Sequence, residues 1–99
     1  MNITKTADSG KLLLSVNGRV DSTTAPELNS AIMDSIADIN ELTLDFSGVE
    51  YVSSAGLRVL LSAQKQMKGK GKMVLKNVCD EVMEVFTITG FTDILNIEK

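Results

Sequence analysis

The chain has 99 residues, of which 43% are hydrophobic and 23% charged, a composition typical of one globular domain. Thirteen acidic residues outnumber ten basic ones and give a formal net charge of −3, so nucleic acid is not an expected partner. The absence of histidine, together with a single cysteine, excludes histidine-based catalytic triads and the usual zinc or iron–sulfur sites. We therefore expect one domain over residues 1–99 without histidine-based catalysis and without a zinc or iron–sulfur site, although carboxylates could still hold magnesium.

The first half of the chain predicts two strands, a helix and a third strand. Strands at 3–6 and 11–17 flank turn residues 7–10, and the second strand alternates apolar and polar side chains. Capping side chains and a proline at 21–27 indicate a helix start, and apolar residues then recur at helical spacing until near Asp38. The next strand alternates over 41–46.

The second half predicts two further helix and strand units. A helix begins near Ser53 and Ser54, after a turn-rich segment, and ends before Gly69. A strand at 72–76, a third helix with an apolar stripe from Val78 to Phe86 and a last strand at 94–97 follow. This alternation predicts an α/β fold with a mostly parallel sheet, to which the initial hairpin adds an antiparallel edge.

The expected compartment follows from the cysteine count and the apolar runs. Cys79 is alone and cannot form an internal disulfide, which favours a reducing, cytoplasmic compartment. No apolar run approaches the roughly 20 residues of a bilayer span, and the first residues lack the charged and apolar regions of a signal peptide. We therefore expect no direct membrane insertion.

The candidate functional residues lie in the loops after the second and third strands, because ligands of parallel sheets bind at the carboxyl ends of the strands. Ser53 and Ser54 stand at a helix start, where a capping hydroxyl contributes about 0.5–2 kcal/mol. A phosphate on a serine there would be stabilised by the positive end of the helix dipole. The two interpretations, a cap and a phosphorylation site, are compatible.

Residues 42–61, LTLDFSGVEYVSSAGLRVLL, resemble the motif of the bacterial anti-sigma factor antagonists. These proteins are stand-alone members of the sulfate transporter and anti-sigma factor antagonist (STAS) domain family. Residues 18–25, GRVDSTTA, are similar to the family's early loop, in which an aspartate follows a glycine by three residues. The resemblance covers nearly the whole chain and implies a single STAS-like domain that is a regulatory binding protein, not an enzyme, and that uses no cofactor.

The resemblance also implies a phosphorylation switch. In that family the unmodified protein binds an anti-sigma factor that is also a serine kinase and thereby releases a sigma factor; phosphorylation reverses the binding, and a serine phosphatase removes the phosphate. The modified residue stands two before the motif's glycine, which gives Ser54, and Ser53 is the alternative in a place where the family often has aspartate. The implied partner-binding residues are Asp21, Ser22, Thr23, Ser53, Ser54, Ala55, Gly56 and Arg58.

Other functions are left open by the sequence. A stand-alone subunit of a membrane transport or lipid-trafficking complex would bind a transporter ATPase without being phosphorylated. A small carboxylate-based hydrolase is a third hypothesis, and Asp21, Asp45 and Glu50 are a weaker candidate for a magnesium cluster because that ion prefers oxygen ligands. Asp21 is equally well explained as a carboxylate that shapes its own loop.

Overall fold

The computed structural model describes residues 1–99 and contains five strands and three α-helices. The strands are β1 (Asn2–Asp8), β2 (Lys11–Asn17), β3 (Glu41–Gly48), β4 (Lys72–Lys76) and β5 (Asn96–Ile97). The helices are α1 (Ala25–Met33), α2 (Ser54–Met67) and α3 (Asp80–Thr89), with 3-10 turns at Ile36–Asp38 and Phe91–Asp93. No helix combines the length and the apolar character needed to span a membrane.

All five strands form one sheet in the order β1-β2-β3-β4-β5. β1 pairs with β2 antiparallel, and every other neighbouring pair is parallel. Each parallel connection passes through a helix. The predicted α/β fold, with a mostly parallel sheet and an antiparallel hairpin at its edge, is confirmed.

The N-terminal hairpin turns through two residues. Ser9 has φ 48° and Gly10 has φ 83°, so both lie in the left-handed region that a tight hairpin turn requires. Asp8 pairs with Lys11, and β1 is therefore longer, and the turn shorter, than the sequence predicted. The prediction was wrong here because β1 is exposed along most of its length and shows no apolar alternation.

The apolar core lies between one face of the sheet and the three helices. Because β2 to β5 follow one another in order across the sheet, right-handed connections place all three helices on the same face. A single cluster of 25 buried residues fills the space between them. Its fully buried members from the strands and from each helix include Leu14, Leu44, Leu75, Leu28, Leu60 and Phe86.

The opposite face of the sheet carries the alternate residues and has no covering helix. Leu13 and Thr43 are neighbours in register on this face, and Leu13 is 37% exposed. Val74 continues the same row and is buried between its strand neighbours, but it lies outside the core cluster. The sheet therefore buries one face in the core and presents the other to solvent.

The first helix and the last strand also differ in extent from the prediction. The first helix ends at Met33, and the chain tightens into a 3-10 turn before Ile39; since 3-10 turns also place residues three apart on one side, the apolar stripe continues through the change. The last strand is confined to Asn96–Ile97 because the chain turns tightly over 91–93 before it reaches the sheet edge. Ile94 is consequently 43% exposed.

We expect Leu14→Ala and Leu13→Ala to differ sharply although the residues are adjacent on β2. Leu14 is fully buried in the core, and its truncation should lower the free energy of unfolding by about 2–5 kcal/mol through lost burial and a cavity. Leu13 faces solvent in part, and its truncation should cost about 1 kcal/mol or less. Urea unfolding measures both values. Equal losses would contradict the assignment of the two faces.

Candidate functional site

The loop after β2 and the loop after β3 are joined by backbone hydrogen bonds. The Val20 amide donates to the Tyr51 carbonyl at 2.9 Å, and the Ser53 amide donates to the Val20 carbonyl at 2.8 Å. Val20 and Val52 thereby form a parallel bridge outside the named strands. We call this Val20–Val52 pairing the loop bridge. It fixes the two candidate loops against each other at the carboxyl ends of β2 and β3.

Gly56, in the first turn of α2, packs directly against the loop bridge. A Cβ at this position would lie 2.7 Å from Val20 Cγ1, 2.9 Å from Val52 Cγ1 and 3.1 Å from the Val20 carbonyl oxygen. Two of these separations are shorter than side-chain contacts in folded proteins allow, so glycine lets α2 approach this closely. Gly56 is buried and shapes the predicted binding surface from beneath.

The two serines at the start of α2 have different environments. Ser53 is the N-cap residue, and its Oγ accepts a hydrogen bond from the Gly56 amide at 3.5 Å. Ser54 is the first helical residue, is exposed, and has a hydroxyl with no hydrogen-bond partner in the chain. The cap and the accessible hydroxyl, both suggested by the sequence, therefore belong to different residues.

The N-terminus of α2 is open to an anion. The amides of Ser54 and Ala55 have no acceptor within the chain. The first turn of α2 contains no acidic residue, whereas α1 has Glu27 and α3 has Asp80 and Glu81 in the corresponding turns. The partial positive charge of this helix end is therefore not neutralised locally.

Asp21 is the hydrogen-bonding centre of the loop after β2. Its Oδ1 accepts from the Thr23 hydroxyl at 2.7 Å and amide at 3.0 Å and from the Thr24 amide at 3.1 Å, while the Thr24 hydroxyl donates to the Arg19 carbonyl at 2.6 Å. These donors, the Thr23 hydroxyl above all, lower the pKa of Asp21 from 3.8 to about 2. The contacts support the role of Asp21 in shaping its loop.

The other predicted binding residues lie at the same end of the sheet. Ser22, Thr23 and Arg58 are exposed, and Ala55 is half-buried. Arg58 is one turn along α2 from Ser54, so the outward side of this helix extends the surface formed by the loops. We call this surface the rim surface, and it comprises Asp21, Ser22, Thr23, Ser54, Ala55 and Arg58.

Arg19 and Tyr51 also belong to the rim surface, although the sequence analysis did not select them. The Cζ atom of Arg19 lies 4.2 Å from the centroid of the Tyr51 ring, a cation–π contact, and its Nε lies 3.5 Å from Asp21 Oδ2. Because Val20 and Val52 point into the core, the residues that flank them in these extended segments point outwards. Tyr51 is the only tyrosine of the chain and could have been singled out from the sequence for that reason, but its contact with Arg19 depends on the loop bridge.

Asp45 lies elsewhere, on the uncovered face of the sheet. Its Oδ1 accepts from Asn77 Nδ2 at 3.1 Å and from the Ser47 amide at 3.0 Å, and the Asn77 bond contributes most to a lowered pKa of Asp45. No three acidic or cysteine side chains are positioned to hold a metal ion. Asp21, Asp45 and Glu50 thus do not form the magnesium cluster considered from the sequence.

The rim surface is exposed and polar, and it carries the accessible, unpartnered hydroxyl of Ser54. The chain contains no imidazole, and a carboxylate such as Asp21, with a pKa at about 2, is a weak base near neutral pH. Its Oδ1 is moreover engaged by the threonine donors. Asp21 is therefore poorly suited to act as a general base toward the Ser54 hydroxyl.

Comparison with known proteins identifies the relatives of this chain. Residues 2–99 match the STAS domain family. The chain is 35% identical over 100 residues to BtrV of Bordetella bronchiseptica, named as an anti-sigma factor antagonist, with 98% of this chain and 85% of that protein covered. It is 31% identical over 106 residues to the anti-sigma-B factor antagonist of Listeria monocytogenes, with 100% and 91% covered. The crystal structure of an anti-sigma factor antagonist from Mycobacterium paratuberculosis superposes with a TM-score of 0.89 at 24% identity, with 98% and 84% covered.

We expect Gly56→Ala to destabilise the fold although alanine is the better helix former. The added methyl group would overlap Val20 and Val52, and overpacking of this kind costs about 1–3 kcal/mol, against a helix-propensity gain of about 1 kcal/mol. Ser54→Ala, in the same turn but exposed, is the control and should change the free energy of unfolding by about 0.5 kcal/mol or less. Urea unfolding gives both values, and a stabilised Gly56→Ala protein would contradict the close packing.

We expect Asp21 to titrate with a midpoint at about 2, measured from the carboxyl carbon by NMR. This pKa in the folded protein lies below 3.8, the ordinary value for an aspartate in an unfolded chain. The ionised carboxylate therefore stabilises the fold above about pH 4, and this stabilisation is lost as the pH falls toward about 2. Thr23→Ala removes the strongest donor and should raise the midpoint. A midpoint of 3.8 in the unmodified protein would show that the hydrogen bonds are absent in solution.

Proposed function

The chain belongs to the STAS domain family, and from this premise we propose that it is an anti-sigma factor antagonist controlled by phosphorylation of Ser54. In the unmodified state it would bind an anti-sigma factor with serine kinase activity and release a sigma factor. The relatives from Bordetella bronchiseptica and Listeria monocytogenes, at 35% and 31% identity, are both named as anti-sigma factor antagonists, which supports this class of regulatory binding protein. The observation that carries the site assignment is the exposed, unpartnered hydroxyl of Ser54 at the first residue of α2.

Ser54 suits a kinase substrate better than Ser53 does. A kinase must reach the hydroxyl that it modifies, and Ser54 is exposed whereas Ser53 is half-buried. Modification of Ser53 would also replace its hydrogen bond to the Gly56 amide, which begins the helix. The cap therefore favours transfer of the phosphate to Ser54.

The fold can accept a phosphate on Ser54 without rearrangement. A phosphate carries about −1.5 to −2 charges near neutral pH, and the helix N-terminus stabilises negative charge. The amides of Ser54 and Ala55 lack acceptors, and no acidic residue stands in the first turn to repel the group. The phosphate would act on the binding surface while the core stays as it is.

The switch then follows from the position of Ser54 within the rim surface. A phosphate would add charge and bulk where the partner contacts an unmodified hydroxyl. A loss of 1.4 kcal/mol in binding free energy weakens affinity about tenfold, so a single misplaced charge is sufficient. The anti-sigma factor would supply both the kinase activity and ATP, and a separate serine phosphatase would restore the hydroxyl.

We expect incubation with a cognate kinase-type anti-sigma factor and ATP to place one phosphate on Ser54. Mass spectrometry should find no phosphate on Ser54→Ala, which should still bind the kinase. Ser54→Asp should keep the fold and bind about tenfold or more weakly, whereas Ser54→Asn, of the same shape without the charge, should bind more tightly than Ser54→Asp.

Three outcomes would contradict the proposal. Phosphate on Ser53 alone would move the site, and equal affinity of the wild type and Ser54→Asp would remove the switch. Binding of a transporter ATPase, with no phosphorylation and no affinity for an anti-sigma factor, would support the transport-complex alternative instead.

A further inference from the structure

Arg19 is an exposed arginine whose guanidinium is held in one orientation. The plane of the Tyr51 ring lies beneath its Cζ atom at 4.2 Å, and Asp21 Oδ2 lies 3.5 Å from its Nε. A guanidinium has five N–H donors, and the four on the terminal nitrogens have no acceptor within the chain. The Arg19 side chain is 67% exposed. It therefore presents an ordered, unsatisfied set of donors to solvent.

This guanidinium belongs to the same surface as Ser54. Arg19 directly precedes Val20, and Tyr51 directly precedes Val52, so both side chains are carried by the loop bridge. The Ser53 amide is bonded to the Val20 carbonyl at 2.8 Å, which ties the start of α2 to the same segment. A protein that covers Ser54 would thus also cover Arg19.

We propose that Arg19 is an anchor that receives a carboxylate of the anti-sigma factor, and that Tyr51 is the residue that positions its guanidinium. The inference rests on the proposed function. Covering a charged group whose donors lack partners is costly, so a docked partner must supply acceptors for the terminal nitrogens. Asp21 lies beside the guanidinium at Nε, on the inner side of the group. A carboxylate matches the planar pair of donors in a bidentate geometry, and arginine is enriched among the residues that dominate protein interfaces.

Single substitutions separate the two roles. We expect Arg19→Ala to weaken binding of the anti-sigma factor about tenfold or more, and Arg19→Lys to weaken it as well, because an ammonium lacks the planar donor pair. Tyr51→Phe keeps the ring and should leave the affinity unchanged, whereas Tyr51→Leu should weaken it. Lys5→Ala, an exposed lysine on the edge strand β1, is the matched control and should bind like the wild type. Thermal melts of the same samples verify that each variant is folded.

A double-mutant cycle tests the positioning role. If Tyr51 acts through Arg19, Tyr51→Leu should cause little further loss in a protein that already carries Arg19→Ala. Additive losses would overturn this role, because they would show that Tyr51 contacts the partner independently. Arg19→Glu should be rescued by changing one aspartate or glutamate of the anti-sigma factor to lysine. Rescue identifies the carboxylate, and failure of every such change to restore binding overturns the proposed acceptor.

The affinities also distinguish this inference from the proposed function. If the wild-type protein binds the anti-sigma factor and Arg19→Ala binds it with the same affinity, the anchor is overturned and the proposed function is left intact. Absence of any binding by the wild-type protein would overturn both. Selective loss with the Arg19 variants, and none with Lys5→Ala, supports the anchor.

Discussion

The close approach of α2 to the loop bridge is the contact on which the rest of the rim surface depends. Gly56 has no Cβ, so the first turn of the helix lies directly on Val20 and Val52. The same approach brings the Ser53 amide to the Val20 carbonyl and the Ser53 hydroxyl to the Gly56 amide. Ser54 is then held as the next residue, outside these bonds. A small residue buried beneath the surface thereby determines which hydroxyl is exposed above it.

The side chains of the rim surface contact one another within the chain itself. One carboxylate oxygen of Asp21 accepts three hydrogen bonds from Thr23 and Thr24, and the other oxygen lies near the Arg19 guanidinium. Arg19 in turn lies on the Tyr51 ring. Such preorganisation reduces the entropy lost on association, because side chains and loops need little further ordering. A phosphate on Ser54 would then act through charge and shape on a surface that does not have to move.

The core and the rim surface occupy different parts of the sheet. All three helices cover one face, and the residues of the rim surface lie at the carboxyl end of the sheet, away from most of the core. The uncovered face carries a row of alternating charge in register across four strands: Asp8, Lys11, Glu41 and Lys72. Charged side chains on an exposed sheet face oppose association with other sheets. Changes at the rim surface can therefore alter affinity with little effect on the core.

The amino-acid sequence by itself determined the class of the fold and the position of the phosphoacceptor candidates. β4 was predicted with the bounds observed, and α2 with its start at the two serines, because their apolar periodicity and glycine boundaries are local properties of the chain. The extents of β1 and β5 were missed, since an exposed strand and a two-residue edge strand have no apolar period of their own.

The tertiary structure decided how the serines divide their roles and which other residues join them. From the local sequence, either serine could be the N-cap of α2. Ser53 takes this position because the first turn of the helix packs on Val20 and Val52. The stacking of Arg19 on Tyr51 likewise requires two segments, distant along the chain, to pair in one register. Such long-range pairing depends on the packing of the whole sheet, and no local pattern in either segment encodes it.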